Sequence, residues 1–345
     1  ATGATASGGG VRVTGVIRAS HGAAYSKLLG VGAYRPPRVV TNEEICTWLD
    51  SSDEWIRERS GIIERRWAGP EESVVSMAVA ASEKALAQSG IAADQIGAIV
   101  LGTVTHPFQT PSAAAEVADL IGAKNAGAFD TSAACAGFSY GIAIADGLIR
   151  TGTAEYVLNI GVEKLTDFVD KTDRGTGFIF ADGAGAVVVG PSAEPCIGPT
   201  IWGADGSQRD VIIAEPDWVT LREQGGDWPV LKMQGQRVFR WAVGEMAAVC
   251  KQALDAAGVA PEDLDVFIPH QANMRITDAM VRTLHLPENV VIARDIAGQG
   301  NTSAASIPLA MDRLYENGEI HSGQTALLVG FGAGLVYASQ VVTIP

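Results

Sequence analysis

The chain has few of the residues from which many sites are built. Its four cysteines, Cys46, Cys135, Cys196 and Cys250, form no C-x-x-C pair and have no histidine at ligand spacing. A disulfide framework or a zinc site is therefore not expected, and a reducing, cytoplasmic setting fits better. His21, His106, His285 and His321 also lack partners at ligand spacing, so no metal or cofactor is expected. No apolar run reaches the roughly 18 residues of a membrane span. Basic residues are scarce: 25 Lys and Arg stand against 39 Asp and Glu, giving a net charge of −14. Such a field repels nucleic acid and anionic membranes, so an acidic partner would need a local basic patch. Aromatics make up only 6% of the chain while glycine occurs 40 times, which points to a Gly- and Ala-rich α/β protein with close contacts between elements. Residues 1–24 begin with small residues, lack a signal-peptide apolar core and read as a loose extension.

What is present is organised around Asp130-Thr131-Ser132-Ala133-Ala134-Cys135-Ala136-Gly137-Phe138. The apolar run Ala126–Phe129 precedes it, and a helical stretch from Ser139 to Gly152 follows, so a lone thiol sits on a strand-to-helix turn. Unpaired N–H groups at a helix start can lower a thiol pKa into the reactive range, although a free cysteine also serves as a small buried hydrophobe. Cys46, Cys196 and Cys250 read as packing residues of that second kind.

Around this turn the chain alternates strands and helices. Thr41-Asn42-Glu43-Glu44 reads as a capping box, and Ser73–Ser89 as a helix closed by Gly90. Ile96–Val100 and Tyr156–Val162 read as strands, and Asp182-Gly183-Ala184-Gly185 as a turn into the strand Ala186–Val189. Arg57, Arg59, Arg65 and Arg66 form a basic stretch whose plain explanation is a solvated face. Ala85–Ile96 recurs as Ala253–Leu264, Thr131–Cys135 as Thr302–Ser306, and Gly183-Ala184-Gly185 as Gly332-Ala333-Gly334. Three matches in one order indicate an internal duplication, with halves at 25–195 and 196–345. The spacing places an insertion in the first half, between the Cys135 helix and Gly183, that contains Arg174. Loops from two such α/β halves can converge on one site.

Two stretches of the second half belong with Cys135. Val266-Phe267-Ile268-Pro269-His270-Gln271-Ala272-Asn273 presents His270 at a strand exit, and Gly298-Gln299-Gly300-Asn301-Thr302-Ser303 places Asn301 at the counterpart of the cysteine turn. Gly330-Phe331-Gly332-Ala333-Gly334 superficially suggests a dinucleotide loop but runs into a strand, Leu335–Val342, not a helix.

With these motifs, residues 25 to 345 resemble β-ketoacyl-acyl carrier protein synthase III, most closely its actinobacterial members. The resemblance implies a thiolase-like duplicated α/β fold with αβαβα layers. It also implies a decarboxylating condensation of an acyl-CoA primer with malonyl-acyl carrier protein in fatty acid synthesis, with a polyketide-priming enzyme or acyltransferase of the same family as the alternative. Residue by residue, it assigns the nucleophile to Cys135, the malonyl-activating pair to His270 and Asn301, and the oxyanion hole to the backbone of Cys135 and Ala333. Many members have glycine where Ala333 stands. Trp55 and Arg174 match the pair enclosing adenine of CoA, Arg59 a phosphate contact and Asn273 a pantetheine contact; Gln236 stands where some members have Asn. Phe331 packs beside the thiol. Thr110 matches the acyl-pocket position filled by Phe in acetyl-selective enterobacterial members, at a homodimer contact. Arg240, Arg275 and Arg282 are expected to form the carrier-protein patch, effective within a Debye length of about 8 Å.

Overall fold

The computed structural model describes residues 17–345, so most of the extension expected at 1–24 lies outside the described residues. The first half opens with β1 (Tyr25–Tyr34) and a small ribbon of β2 (Arg38–Thr41) and β3 (Glu64–Trp67). Between the ribbon strands lie α1 (Asn42–Ile45) and α2 (Asp53–Ser60). Next come α3 (Val74–Ser89), β4 (Ile96–Gly102), α4 (Ala113–Ile121), β5 (Gly127–Thr131), α5 (Gly137–Arg150), β6 (Tyr156–Lys164) and β7 (Asp182–Ser192). The second half has β8 (Ile201–Ala204), then a separate ribbon of β9 (Ile212–Glu215) and β10 (Val230–Met233) that carries α6 (Trp218–Gln224) between its strands. It continues with α7 (Gly235–Ala257), β11 (Val266–Pro269), α8 (Met274–Leu284), β12 (Val291–Ile292), α9 (Ile296–Gln299), α10 (Ser306–Glu316), β13 (Thr325–Gly332) and β14 (Val336–Thr343).

Two five-stranded sheets follow one plan, β1-β7-β6-β4-β5 and β8-β14-β13-β11-β12. In the first, Ala98 opposes Val157; in the second, Val266 opposes Ala326. Period-2 alternation then builds five layers. Ala98 and Val100 face inward onto α5, while Ile99 and Leu101 face outward onto α3 and α4. Likewise Ala326 and Leu328 face inward onto α10, and Leu327 and Val329 outward onto α7 and α8. The αβαβα order expected from the resemblance is therefore present. Phe138 on α5 is fully buried in the central layer, worth about 1.5–3 kcal/mol.

Three local expectations need correction. Gly183 to Gly185 is not a turn but lies inside β7, paired with β6, so its literal match to Gly332-Ala333-Gly334 is not a structural equivalence. The true asymmetry is the connection itself: β6 reaches β7 through 165–181, whereas β13 reaches β14 through Ala333-Gly334-Leu335 alone. The cysteine turn is also two residues out of step with the literal match. Ala133 (φ −122°, ψ 27°) precedes Ala134 at φ 43°, and Thr302 (φ −103°, ψ 23°) precedes Ser303 at φ 49°. Cys135 thus corresponds to Ala304, not Ser306. Finally, Arg65 is no solvated residue. It is fully buried and donates to Val40 O, Asn42 Oδ1 and Phe178 O, tying the β2–β3 ribbon to the 165–181 insertion. Burial lowers its pKa to about 10, which leaves it charged at neutral pH.

Candidate active site

The duplicated turns, 134–136 and 303–305, lead into α5 and α10 and meet between the sheets, where small residues permit the approach. A Cβ added to Gly161 would lie 2.1 Å from the Ala304 carbonyl oxygen, and one added to Gly332 would lie 2.8 Å from Cys135 Cβ. β13 therefore passes directly against the thiol only because it ends in glycine.

Above these turns is a cavity of about 830 Å³ lined by Cys135, His270, Asn301, Phe331 and Ala333. Trp55, Arg59, Arg174, Gln236, Arg240, Asn273 and Arg275 line it as well. Ile212, Ile213, Ala214, Leu231 and Met233 of the β9–β10 ribbon form an apolar wall.

Cys135 is half-buried at the floor of the cavity, and desolvation pushes its thiol pKa up to about 12, with the Glu163 carboxylate adding to the rise. The lowering expected from the helix start is overturned because the short turn spends its own donor, Ala136 N–H on Ala133 O, and desolvation outweighs the remaining dipole. His270 follows the 4-residue strand β11 and is 2% exposed. Its Nδ1 lies 2.7 Å from Ser306 Oγ, which also accepts from Gln271 N at 3.2 Å. With that oxygen already accepting, Ser306 O–H is suited to donate to Nδ1, which places the imidazole proton on Nε2. Burial lowers the His270 pKa to about 3, so the ring is neutral. The Phe331 ring stands edge-on to it at 5.2 Å. Asn301 Oδ1 accepts from Ser303 N at 2.8 Å, leaving the amide N–H groups as the donors available to the cavity. Its backbone is clamped to the insertion through Ile179 O and Ala181 N.

At the mouth, the Arg59 and Arg174 guanidinium groups stand 5.7 and 5.4 Å from the Trp55 ring centroid. Asn273 caps α8 through Arg275 N and donates to Arg59 O at 2.8 Å, so its amide already joins α2 to α8. Arg275 lies over the Phe239 ring at 5.2 Å. Two expected residues are elsewhere. Arg282 is exposed two turns along α8 from Arg275, roughly 10 Å further out. Thr110 is exposed ahead of α4 and does not line the cavity of this single chain.

Reading the sequence missed Ser303, Ser306 and Glu163. Glu163 had a usable signal, being the lone acid at the end of the apolar run Tyr156–Val162. It is fully buried and accepts from Thr105 Oγ1 at 2.7 Å, Thr103 Oγ1 at 3.1 Å and Val104 N at 3.1 Å. Burial nevertheless raises its pKa to about 7. Among the described residues, no group of three or more His, Cys, Asp or Glu side chains could hold a metal ion, and no helix is long and apolar enough to cross a membrane.

Comparison with known proteins agrees with this geometry. The family model described as 3-oxoacyl-[acyl-carrier-protein (ACP)] synthase III matches residues 129–206, and the one for its C-terminal part matches 254–344. A β-ketoacyl-[acyl-carrier-protein] synthase III of Streptomyces glaucescens is 60% identical over 330 residues, covering 95% of this chain and 99% of the relative. A mycobacterial β-ketoacyl-[acyl-carrier-protein] synthase III of Mycobacterium marinum is 53% identical, covering 92% and 95%. Among solved structures, the priming β-ketosynthase from the R1128 polyketide biosynthetic pathway superposes with a TM-score of 0.93 at 45% identity, covering 95% of this chain and 98% of that one. With the layered fold, the paired turns and the shared cavity in place, the chain belongs to the β-ketoacyl-[acyl-carrier-protein] synthase III family of acyl-transferring condensing enzymes.

Proposed function

We propose that the chain condenses an acyl-CoA primer with malonyl-acyl carrier protein through an acyl-Cys135 intermediate, giving 3-oxoacyl-acyl carrier protein at the start of type II fatty acid synthesis. The observation that carries this reading is the convergence of Cys135, His270 and Asn301 on one cavity. The Cys135 sulfur attacks the acyl thioester and CoA leaves. Malonyl-acyl carrier protein then loses CO₂, and the enolate oxygen receives hydrogen bonds from His270 Nε2–H and the Asn301 amide. A neutral His270 suits that task because it donates without giving up its proton. The carbanion attacks the acyl group, the backbone N–H groups of Cys135 and Ala333 hold the tetrahedral oxyanion, and its collapse breaks the bond to the Cys135 sulfur, releasing 3-oxoacyl-acyl carrier protein and the free thiol. No cofactor is required for these steps.

Trp55 and Arg174 receive the adenine of CoA by stacking and cation–π contact, Arg59 a phosphate, and Asn273 the pantetheine arm. Arg240 and Arg275 at the mouth, with Arg282 beyond them, receive the acidic carrier protein. The enzyme acts as a cytoplasmic homodimer, and the partner subunit brings Thr110 to the acyl end of the cavity. Supporting this assembly, β5 is an edge strand whose Phe129 is 40% exposed, and Phe108 nearby in sequence is 64% exposed. Intact-protein mass spectrometry after incubation with a panel of acyl-CoAs tests the reading: the acyl mass should appear on wild type and not on Cys135→Ala. Cys135→Ala should still release CO₂ from malonyl-acyl carrier protein, and His270→Ala should not. Acylation at another residue, or decarboxylation that needs the thiol, would overturn it. The similarity to a polyketide-priming ketosynthase favours, as a second reading, a polyketide-priming role for the same chemistry, and preferential loading of the corresponding primer in that panel would select it.

A further inference from the structure

The strand β4 leaves its sheet just where the chain reaches the cavity. Its last backbone pairs join Gly102 to Gly161 of β6 and to Thr131 of β5. Gly102 also packs on the start of α5, where a Cβ added to it would stand 3.0 Å from the carbonyl carbon of Gly137, two residues past Cys135. The segment 103–105 therefore lies beside the cysteine turn. Among the described residues, its only backbone hydrogen bond to the sheet runs from Thr103 N to Thr131 O at 3.3 Å.

Beyond that point a side chain takes over from the ladder. Glu163, two residues past the last β6 pair, is fully buried and accepts from Thr105 Oγ1 at 2.7 Å, Thr103 Oγ1 at 3.1 Å and Val104 N at 3.1 Å. Thr105 Oγ1 in turn accepts from Lys164 N at 2.8 Å. The two threonines are thus buried against β6, whereas Val104 between them lines the cavity. Leu165, two residues beyond Glu163, lines it too. One carboxylate therefore joins the two segments that supply these apolar wall residues. It is a costly device, since an apolar contact would hold two strand ends without desolvating a charge.

We propose that Glu163 is a positioning residue for primer selection: it acts through Val104, holding that side chain at a set distance from Leu165. The gap between the two decides how much branching the acyl group can carry close to the Cys135 thioester. The inference rests on Cys135 carrying the primer, as proposed above. Apolar walls discriminate by size, one carbon more or less being worth about tenfold or above when the wall cannot yield. Here the wall is held by side-chain hydrogen bonds, so losing an acceptor lets Val104 recede while Gly102 and Gly161 stay paired. None of the three hydrogen bonds reaches His270 or Asn301, so malonyl activation does not depend on them.

The test is competitive loading of the full chain with acetyl-CoA and isobutyryl-CoA, read as the mass added to Cys135, with decarboxylation of malonyl-acyl carrier protein measured alongside. Val104→Ala opens the wall directly and should raise the isobutyryl-to-acetyl ratio about tenfold. Glu163→Gln turns an amide N–H toward the donors of 103–105 and should raise the ratio in the same direction, with decarboxylation kept at the wild-type rate. Thr105→Val keeps the shape of the side chain and removes only its hydrogen bonds, so it should give a smaller rise and decides the matter if Glu163→Gln does not fold. An unchanged ratio in Val104→Ala would show that Val104 does not border the primer, and would overturn the proposal. So would equal losses of both loadings and of decarboxylation in the Glu163 and Thr105 variants, which would leave the carboxylate a purely structural role. Failure of wild type to acylate at Cys135 would overturn the proposed function itself, and this role with it.

Discussion

Replacing Gly332 by alanine tests whether the thiol is placed by close packing of β13 against its turn. The added Cβ would stand 2.8 Å from Cys135 Cβ and 3.0 Å from both its N and its Sγ, inside any normal contact. The Cβ and N atoms are fixed to the backbone and cannot rotate away, so the turn or the strand must move by a few tenths of an ångström or more. Overpacking of this kind costs about 1–3 kcal/mol of stability. The catalytic cost should be larger in proportion, because the Cys135 N–H and the Ala333 N–H sit on the two segments pushed apart, and a misplacement of about 1 Å can cost a hundredfold in rate. Acyl loading followed by mass spectrometry, alongside a denaturant titration, separates the two effects. Gly244→Ala is the control: it lies exposed on α7 with nothing within 4 Å of the added carbon, and should gain about 1 kcal/mol of helix propensity without changing loading. If Gly332→Ala loads at the wild-type rate while Gly244→Ala behaves as stated, the packing argument fails.

Other expectations follow from the same geometry. His270 has a folded pKa lowered to about 3 from 6.5, so the folded state binds fewer protons and its contribution to stability is present above pH 6.5 and lost as pH falls toward 3. Urea unfolding across that window should show a flatter pH dependence for His270→Gln than for wild type. Trp55→Ala should raise the acyl-CoA KM about tenfold, equivalent to about 1.4 kcal/mol, with the saturated loading rate unchanged; a fall in the saturated rate instead would place Trp55 closer to the chemistry. Arg275→Glu should impair turnover with malonyl-acyl carrier protein far more than acyl-CoA loading, and equal losses would remove the docking role. Thr110→Phe should shift the primer preference from branched or longer acyl-CoAs toward acetyl-CoA, read from competitive loading, and an unchanged preference would show that Thr110 does not border the acyl group.

The period-2 strands and the capped helices were legible in sequence, because Ile99 and Leu101 against Ala98 and Val100, or Ser73 and Gly90 around α3, state their surroundings locally. The repeat was legible too, but its register was not. Thr-Ser-Ala-Ala recurs by composition in a turn where every residue is small, whereas the backbone aligns Ala134 with Ser303. Burial was the hardest property to read. Arg65 among other arginines looked solvated because its acceptors, Val40 O and Phe178 O, are far away in sequence. The thiol looked activated because a helix start is visible in a sequence, while the desolvation that outweighs it is not. The strand carrying Glu163 and the turn 303–305 come together only because both sheets close on the same point.

The β9–β10 ribbon gives the cavity an apolar wall yet contributes no strand to either five-stranded sheet. Its length and side chains can therefore change without unpairing the framework that holds Cys135, His270 and Asn301. The wall of the cavity and its reactive floor are in this way written in separable parts of the chain, so that 212–233 can be reshaped while the two sheets are inherited intact.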